Sequence, residues 1–396
     1  MNDRAEQQWT KRRLAFLVAG AVIVVIAALL YLNSGAVRPD SAVASGKLPK
    51  RLSDSEFWKM VTDFSEPGGS FFYDNFLSNE IGFQEVIPDL RKTVKPGGAY
   101  LGVGPEQNFT YIAALQPRMA FIIDIRRQNM IEHLLYKAFM EIASDRADFV
   151  GLLFARPRPA NLNKGSTADA LFRAYQNSNP NSDLFERNLL MALDHLKDHG
   201  ISLSLGDQAS MRKVYNAFFE SGPDISYAFS GNTPTPGRGM PSYSELMTAT
   251  DGWGKNWGYL ATEAHFETIR DMERNNLIVP LVGDFAGDKT IRTVGKYVKE
   301  HQAIVTTFYL SNVEQYLFQQ DDDWSRFYGN AATLPTDPTS MFIRSTAGSR
   351  GIFSGRGRRR RPLRMLTSPV EDLVRAFNAD QIHSYSDVLG TPNTNN

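Results

Sequence analysis

Residues Gly97–Asn129, GGAYLGVGPEQNFTYIAALQPRMAFIIDIRRQN, constrain the fold more than any other stretch of the chain. Ala99–Val103 is short, apolar and β-prone, and Gly102 and Gly104 flank a turn at which Pro105 stops the strand. Gln107–Leu115 has helical spacing that Gln116-Pro117 breaks, and Met119–Ile123 is a continuous apolar run ending in Asp124. An uninterrupted apolar run suits a strand buried on both faces. Strand, glycine turn, helix and strand together form the first half of a nucleotide-binding α/β domain.

Glycines after the first strand let the backbone approach a ligand that lies near the N-terminus of the following helix. An acid at the end of the second strand accepts hydrogen bonds from both hydroxyls of a ribose, and Asp124 stands 20 positions beyond Gly104, the separation this needs. Gly102-Val103-Gly104-Pro105-Glu106-Gln107 keeps the first two glycines of GxGxxG and has Gln107 in place of the third. Pro105 and Glu106 bring rigidity and negative charge to the pyrophosphate position, which argues against NAD or FAD. A cofactor without phosphates, such as S-adenosylmethionine, tolerates an acidic turn better.

GVGPEQN followed by AFIIDIRRQN resembles the glycine turn and ribose acid of class I S-adenosylmethionine-dependent methyltransferases. The wider block, through His133-Leu134-Leu135-Tyr136-Lys137 and later Phe308–Tyr316, resembles a family of uncharacterised bacterial membrane-anchored proteins with that fold, over about residues 55–345. The resemblance implies S-adenosylmethionine as cofactor, held by Gly102, Gly104, Glu106, Asn108, Asp124 and Arg126.

Farther along, Leu277–Val282 reads as a buried strand weakened by Pro280, Asp288–His301 as a crossover helix, and Ala303–Tyr309 as a third strand. This rhythm predicts an α/β, Rossmann-like, mostly parallel sheet with helices on both faces. Met341–Ser345 reads as the last strand, and Ile201–Leu205 as another. Ligands of open α/β sheets bind at the carboxyl ends of the strands, so Asp124, Asp284, Tyr309, Ser311 and Asn312 are expected along one edge. Methyl transfer needs an aligned nucleophile and sometimes a base. Asp284 is then the candidate base, or equally a helix cap, with Tyr309 and Asn312 positioning substrate. The Asn/Asp-Pro-Pro-Tyr, GxSxG, P-loop and zincin motifs are absent.

Between these blocks, Arg127–Ala143 reads as a helix with Ile131, Leu134, Leu135, Ala138 and Ile142 as its buried stripe; His133, followed by Tyr136 and Lys137, reads as a partly packed residue of the helix surface or, less favoured, as one that points into a site. A helical and loop insertion is expected at about 155–260. His195 and His199, four apart, have the spacing of metal ligands, but beside Asp194 and Asp198 and without HExxH they read as a solvated helix face, so no metal is assigned. Asp251–Tyr259, with Trp253 and Trp257 among glycines, serves equally as a stacking surface or a hydrophobic plug.

The N-terminus sets the compartment. Leu14–Leu32 is 19 residues without a charge, preceded by Lys11-Arg12-Arg13. At ~1.5 Å per residue such a helix spans the ~30 Å hydrocarbon core, and it is longer than the apolar part of a cleaved signal peptide. The positive-inside rule places residues 1–13 in the cytoplasm, with a flexible linker at 33–50 and the α/β domain at 51–346 outside a bacterial inner membrane. Residues 347–396 read as a basic loop, Arg356–Arg361, and a tail with a short helix. Lys+Arg and Asp+Glu both number 43, so nucleic acid is not an expected partner; the membrane and an unknown small molecule or protein are. The absence of cysteine excludes disulfides, thiolate metal sites and cysteine nucleophiles.

These expectations conflict, because S-adenosylmethionine is cytoplasmic and the domain is placed outside. A hydrolase using Asp284 with the histidines is a third, weaker reading, because it lacks a recognisable nucleophile, and two readings lead. One is a membrane-anchored protein with a methyltransferase-like domain. The other is a non-enzymatic extracytoplasmic protein that uses a degenerate Rossmann-like fold to bind a ligand or partner.

Overall fold

The computed structural model describes residues 44, 46–71, 74–227, 240–346 and 363–390. The expected membrane span Leu14–Leu32, most of the linker, residues 228–239, the Arg356–Arg361 run and the last six residues lie outside them. Among the described residues no helix is long and apolar enough to cross a membrane.

Six strands form one sheet: β1 (Ala99–Gly102), β2 (Met119–Asp124), β3 (Ile278–Val282), β4 (Val305–Ser311), β5 (Met341–Thr346) and β6 (Arg364–Pro369). Their order is β3-β2-β1-β4-β5-β6, with every pairing parallel except β5–β6. Every residue of β1, β2, β3 and β5 is buried, as in a parallel sheet covered on both faces. Pro280 lies in β3 at the sheet edge, where a missing backbone donor is tolerated.

Right-handed crossovers follow from this order. They put helix Gln107–Leu115, between β1 and β2, on one face and helix Thr290–Glu300, between β3 and β4, on the other. The first face carries a second helical layer inserted between β2 and β3. Helix Arg127–Ile142 itself packs on β2 and β3, and Ser182–Asp198, Leu205–Ser221 and Glu263–Arg274 pack against it. On the other face helix Asp323–Ala331 packs against Thr290–Glu300 and Val370–Asn378, and helix Asp54–Phe64 against β3.

Three sequence expectations give way. Ile201–Leu205 is not a strand. Ser204 and Asp207 close a capping box that starts a helix at Leu205, which is 84 % exposed. Met341–Thr346 is not the last strand, because Arg364–Pro369 pairs with its whole length from Met341↔Pro369 to Thr346↔Arg364. Helix Arg127–Ile142 has no surface at His133, which is packed fully and not partly: Asn129 to Met140 are all buried, including Glu132, His133 and Lys137, while Ile142 from the predicted stripe is half-exposed. A stripe rule assumes one packed side, and here helices enclose the others.

The C-terminal strand is tied in by a buried ion pair. Arg344 of β5 donates from Nε to Glu314 Oε2 at 2.6 Å and from a terminal nitrogen to Ser368 Oγ of β6 at 2.7 Å. Tyr328 donates to Glu314 Oε1 at 2.6 Å. Removing one partner of such a pair strands a charge in the core. Arg344→Leu is expected to cost about 3–5 kcal/mol in urea denaturation, and the Glu314→Leu/Arg344→Leu double variant to recover most of it.

Candidate functional site

The carboxyl ends of four strands line up. Gly102 of β1 pairs with Tyr309 of β4, and Asp124 of β2 pairs with Val282 of β3. Strand order reverses between β1 and β4, the switch point at which open α/β sheets take ligands. Each of these strand ends is filled by a side chain of the chain itself.

At β1, Gly104 takes φ +77, a left-handed conformation that glycine adopts freely. Gly102 is required for a different reason. A Cβ there would lie 2.0 Å from Asn108 Oδ1 and 2.8 Å from the Tyr100 hydroxyl. Asn108 fills the turn, donating from Nδ2 to the carbonyls of Val103, Gly104 and Pro105 at 3.0, 3.1 and 2.8 Å, while Tyr100 donates to its Oδ1 at 2.8 Å.

At β2, Asp124 faces Arg126. Asp124 Oδ1 accepts from the Arg126 backbone N–H at 2.8 Å and from Nε at 3.0 Å, and Oδ2 accepts from the terminal nitrogen at 2.8 Å. Burial disfavours the Arg126 charge, but the Asp124 carboxylate more than compensates and raises its pKa. The other terminal nitrogen donates to the Asp74 carbonyl, fastening the segment that runs over the edge.

At β3, Glu66 occupies the N-terminus of helix Thr290–Glu300, accepting from the backbone N–H groups of Lys289 and Thr290 at 2.7 and 2.9 Å. Its other oxygen accepts from the Asp284 N–H at 3.0 Å. Asp284 itself accepts from the Ala286 N–H at 2.9 Å, so it shapes the loop. At β4, Glu80 accepts from the Tyr309 and Ser311 hydroxyls, both at 2.5 Å. Burial raises the Glu80 pKa, against those hydrogen bonds. Ser311 holds φ +51, an uncommon value for a serine at a strand end.

Next to the glycine turn is a second group, of a different character. Glu106, Asn129, Glu132 and His133 are at most 1 % exposed. Glu106 Oε1 accepts a long bond from Ser78 N–H at 3.3 Å, and its Oε2 has no partner in the protein. Neither oxygen of Glu132, neither amide atom of Asn129, nor Gln107 Oε1 has one. His133 donates from Nε2 to the Gly104 carbonyl at 2.9 Å, which leaves Nδ1 as an unmatched acceptor. Burial pushes the Glu106 carboxyl up to about 8. Burial, and then the charge of Glu106, push Glu132 up as well. Burial pushes His133 down to about 4. Glu106 and His133 are therefore mostly neutral near pH 7, and Glu132 is shifted in the same direction as Glu106; the unpartnered atoms are carboxyl, amide and imidazole acceptors together with the Asn129 Nδ2 donor and the O–H of each protonated carboxyl.

Of the residues expected from sequence, Gly102, Gly104, Glu106, Asn108, Asp124 and Arg126 gather around the ends of β1 and β2, with Tyr309 alongside. Asp284 lies beyond β3 and Asn312 beyond β4, with β2 and β1 between. At ~4.8 Å per strand those two strand ends are about 14 Å apart across the sheet. Trp257 is buried, donating to Asp251 at 2.7 Å, whereas Trp253 is 88 % exposed, so the two tryptophans form no common stacking surface. Glu66, Glu80, Asn129 and Glu132 carry no motif. The one available signal is the polar Asn129, Glu132 and Lys137 in a helix long enough to be enclosed.

The family model of a domain of unknown function, DUF7790, matches residues 75–389, from the segment over the edge to the last described helix. No curated protein matches the chain.

The protonated Glu106 makes a pH prediction. Its folded-state pKa of about 8 lies above the ordinary 4.5, so the folded protein keeps a proton that the unfolded chain releases. This contribution is fully present below pH ~4.5 and is lost as pH rises toward ~8. Glu106→Gln stays neutral throughout. In thermal scans its stability is expected to fall less than the wild type's between pH 5 and pH 8, by roughly 1–4 kcal/mol.

Proposed function

The chain belongs to the DUF7790 family, described as a domain of unknown function, and from its own site we propose that it is a ligand-binding protein built on a degenerate Rossmann-like domain, non-enzymatic and held at the membrane by Leu14–Leu32. The ligand is a small molecule carrying an ammonium or guanidinium group. The observation that carries this reading is the cluster of buried, unpartnered polar atoms at Glu106, Gln107, Asn129, Glu132 and His133, of which Asn129 Nδ2 alone is an obligate donor. A buried acceptor without a donor costs about 1–3 kcal/mol, and a donor-rich cation offsets that cost at several atoms at once. Entry of a cation lowers the carboxyl pKa values, so binding releases protons.

Two features weigh against a methyltransferase. The ribose acid Asp124 is engaged on both oxygens by Arg126, and the space over Gly102 is taken by Asn108. Moving Arg126 aside exposes a buried carboxylate, a change of several kcal/mol that cofactor binding must offset. The expected outward topology points the same way.

S-adenosylmethionine-dependent methyl transfer is the second reading, and one observation favours it. The acceptors adjoin the glycine turn, and the cofactor carries both an ammonium and a sulfonium. Isothermal calorimetry on the full-length protein separates the two readings. S-adenosylmethionine is expected not to bind at micromolar concentration, while one or more members of a panel of simple amines and guanidines bind with proton release and lose at least about tenfold affinity in Glu132→Gln. Micromolar S-adenosylmethionine binding that disappears in Asp124→Ala overturns the proposal in favour of the second reading.

A further inference from the structure

About nine residues beyond Glu132, some 14 Å along the same helix at ~1.5 Å per residue, Glu141 meets two histidines from another element. His195 and His199 sit one turn apart at the end of helix Ser182–Asp198. Their nearest ring nitrogens and a Glu141 carboxylate oxygen all lie within 4.8 Å of one another. The three residues are half-buried, with the Glu141 side chain the less exposed of the Glu141–His195 pair. We propose that Glu141, His195 and His199 bind a divalent transition-metal ion of the zinc class, independently of the sheet-edge ligand.

Four features support the site. The donor set is two imidazoles and one carboxylate, a combination that holds zinc with further positions open. The tautomer of His199 is fixed: its Nδ1 donates to the His195 carbonyl at 2.8 Å, which leaves the Nε2 lone pair for a metal. Glu141 is oriented from behind, because Lys137 donates to its Oε1 at 2.6 Å while Oε2 points at His195 Nε2, also at 2.6 Å. A metal between Oε2 and the imidazole takes the place of the proton they share. Lys137 is itself held by the Glu273 carbonyl at 2.6 Å, so it acts as a fixed support on the side away from the histidines.

The fourth feature is access. An open cleft of about 480 Å³ adjoins His195, lined by Arg187, Asp194 and Asp198 among others. Two carboxylates against one guanidinium give this mouth a negative balance that attracts a dication. His195 lines this cleft, so the coordination positions beyond the three protein ligands are open to water or an outer ligand from that side. The spacing of His195 and His199 is visible in the sequence, but Glu141 lies 54 positions before His195 and joins them only in the fold.

The test uses the full-length protein stripped with chelator and titrated with Zn²⁺ alone. One ion per chain is expected, at micromolar affinity or tighter, with a rise in melting temperature. Co²⁺ at the same site is expected to show the visible absorption of nitrogen and oxygen coordination. His199→Ala and Glu141→Gln are expected to weaken binding at least about tenfold and to abolish the thermal shift. His265→Ala, at a histidine engaged with the Gly258 carbonyl elsewhere in the fold, is expected to leave both unchanged. Circular dichroism establishes that each variant is folded, and His199→Gln serves if the alanine variant is not. Absence of stoichiometric binding by the wild type, or binding unchanged in a folded His199 variant, overturns the proposal.

Discussion

Arg126 and Asp124 form a bidentate ion pair at the end of β2, with side chains 9 % and 6 % exposed. Burying two charges is costly, and only good geometry with further hydrogen bonds offsets that cost. Here the backbone N–H of Arg126 and the Asp74 carbonyl supply those bonds. The pair therefore does two things. It occupies the acid that a ribose would need, and it anchors the segment that leads over the strand ends to Ser78 and Glu80.

The same pattern recurs along the edge. Asn108 fills the glycine turn, Glu66 the helix N-terminus after β3, and Glu80 the hydroxyls at β4. Asn108 does so through local bonds and Glu66 and Glu80 through long-range ones, each satisfying backbone or hydroxyl groups that an open α/β sheet normally presents to a ligand. Beside this satisfied edge, the acceptors on and around helix Arg127–Ile142 stand out. A helix that buries Asn129, Glu132, His133 and Lys137 gives up stability that apolar residues would supply. Chains retain such positions where binding requires them. One helix thus links the sheet edge, through Glu132, to the histidine cluster, through Glu141.

Much of the fold was legible in the sequence because local signals agreed. The run from Ala99 to Asp124 combines strand composition, a glycine turn, helical spacing and a second apolar run, and all of these survive folding. Arg364–Pro369 was not legible, since a short strand with alternating burial and a proline at its end is made by its partner β5. The full burial of His133 is not legible, because periodicity detects one packed face and not an enclosing layer. At the site, Gly102 was found for a reason the structure replaces, as its missing Cβ makes room for Asn108. Glu66 and Glu80 act across more than 200 positions, a distance no local pattern reports. Glu141 was missed for the same reason, at shorter range.

The central claim is that the strand ends are closed by the chain's own side chains, with Arg126 holding Asp124. The most direct measurement is the Arg126 guanidinium Nε–H resonance by nitrogen-edited NMR, recorded with and without S-adenosylmethionine. The account predicts a resolved, slowly exchanging signal, shifted as expected for a carboxylate partner and unmoved by the cofactor. A fast-exchanging Arg126 signal, or one that changes in step with added S-adenosylmethionine, would show an open Asp124 and contradict it.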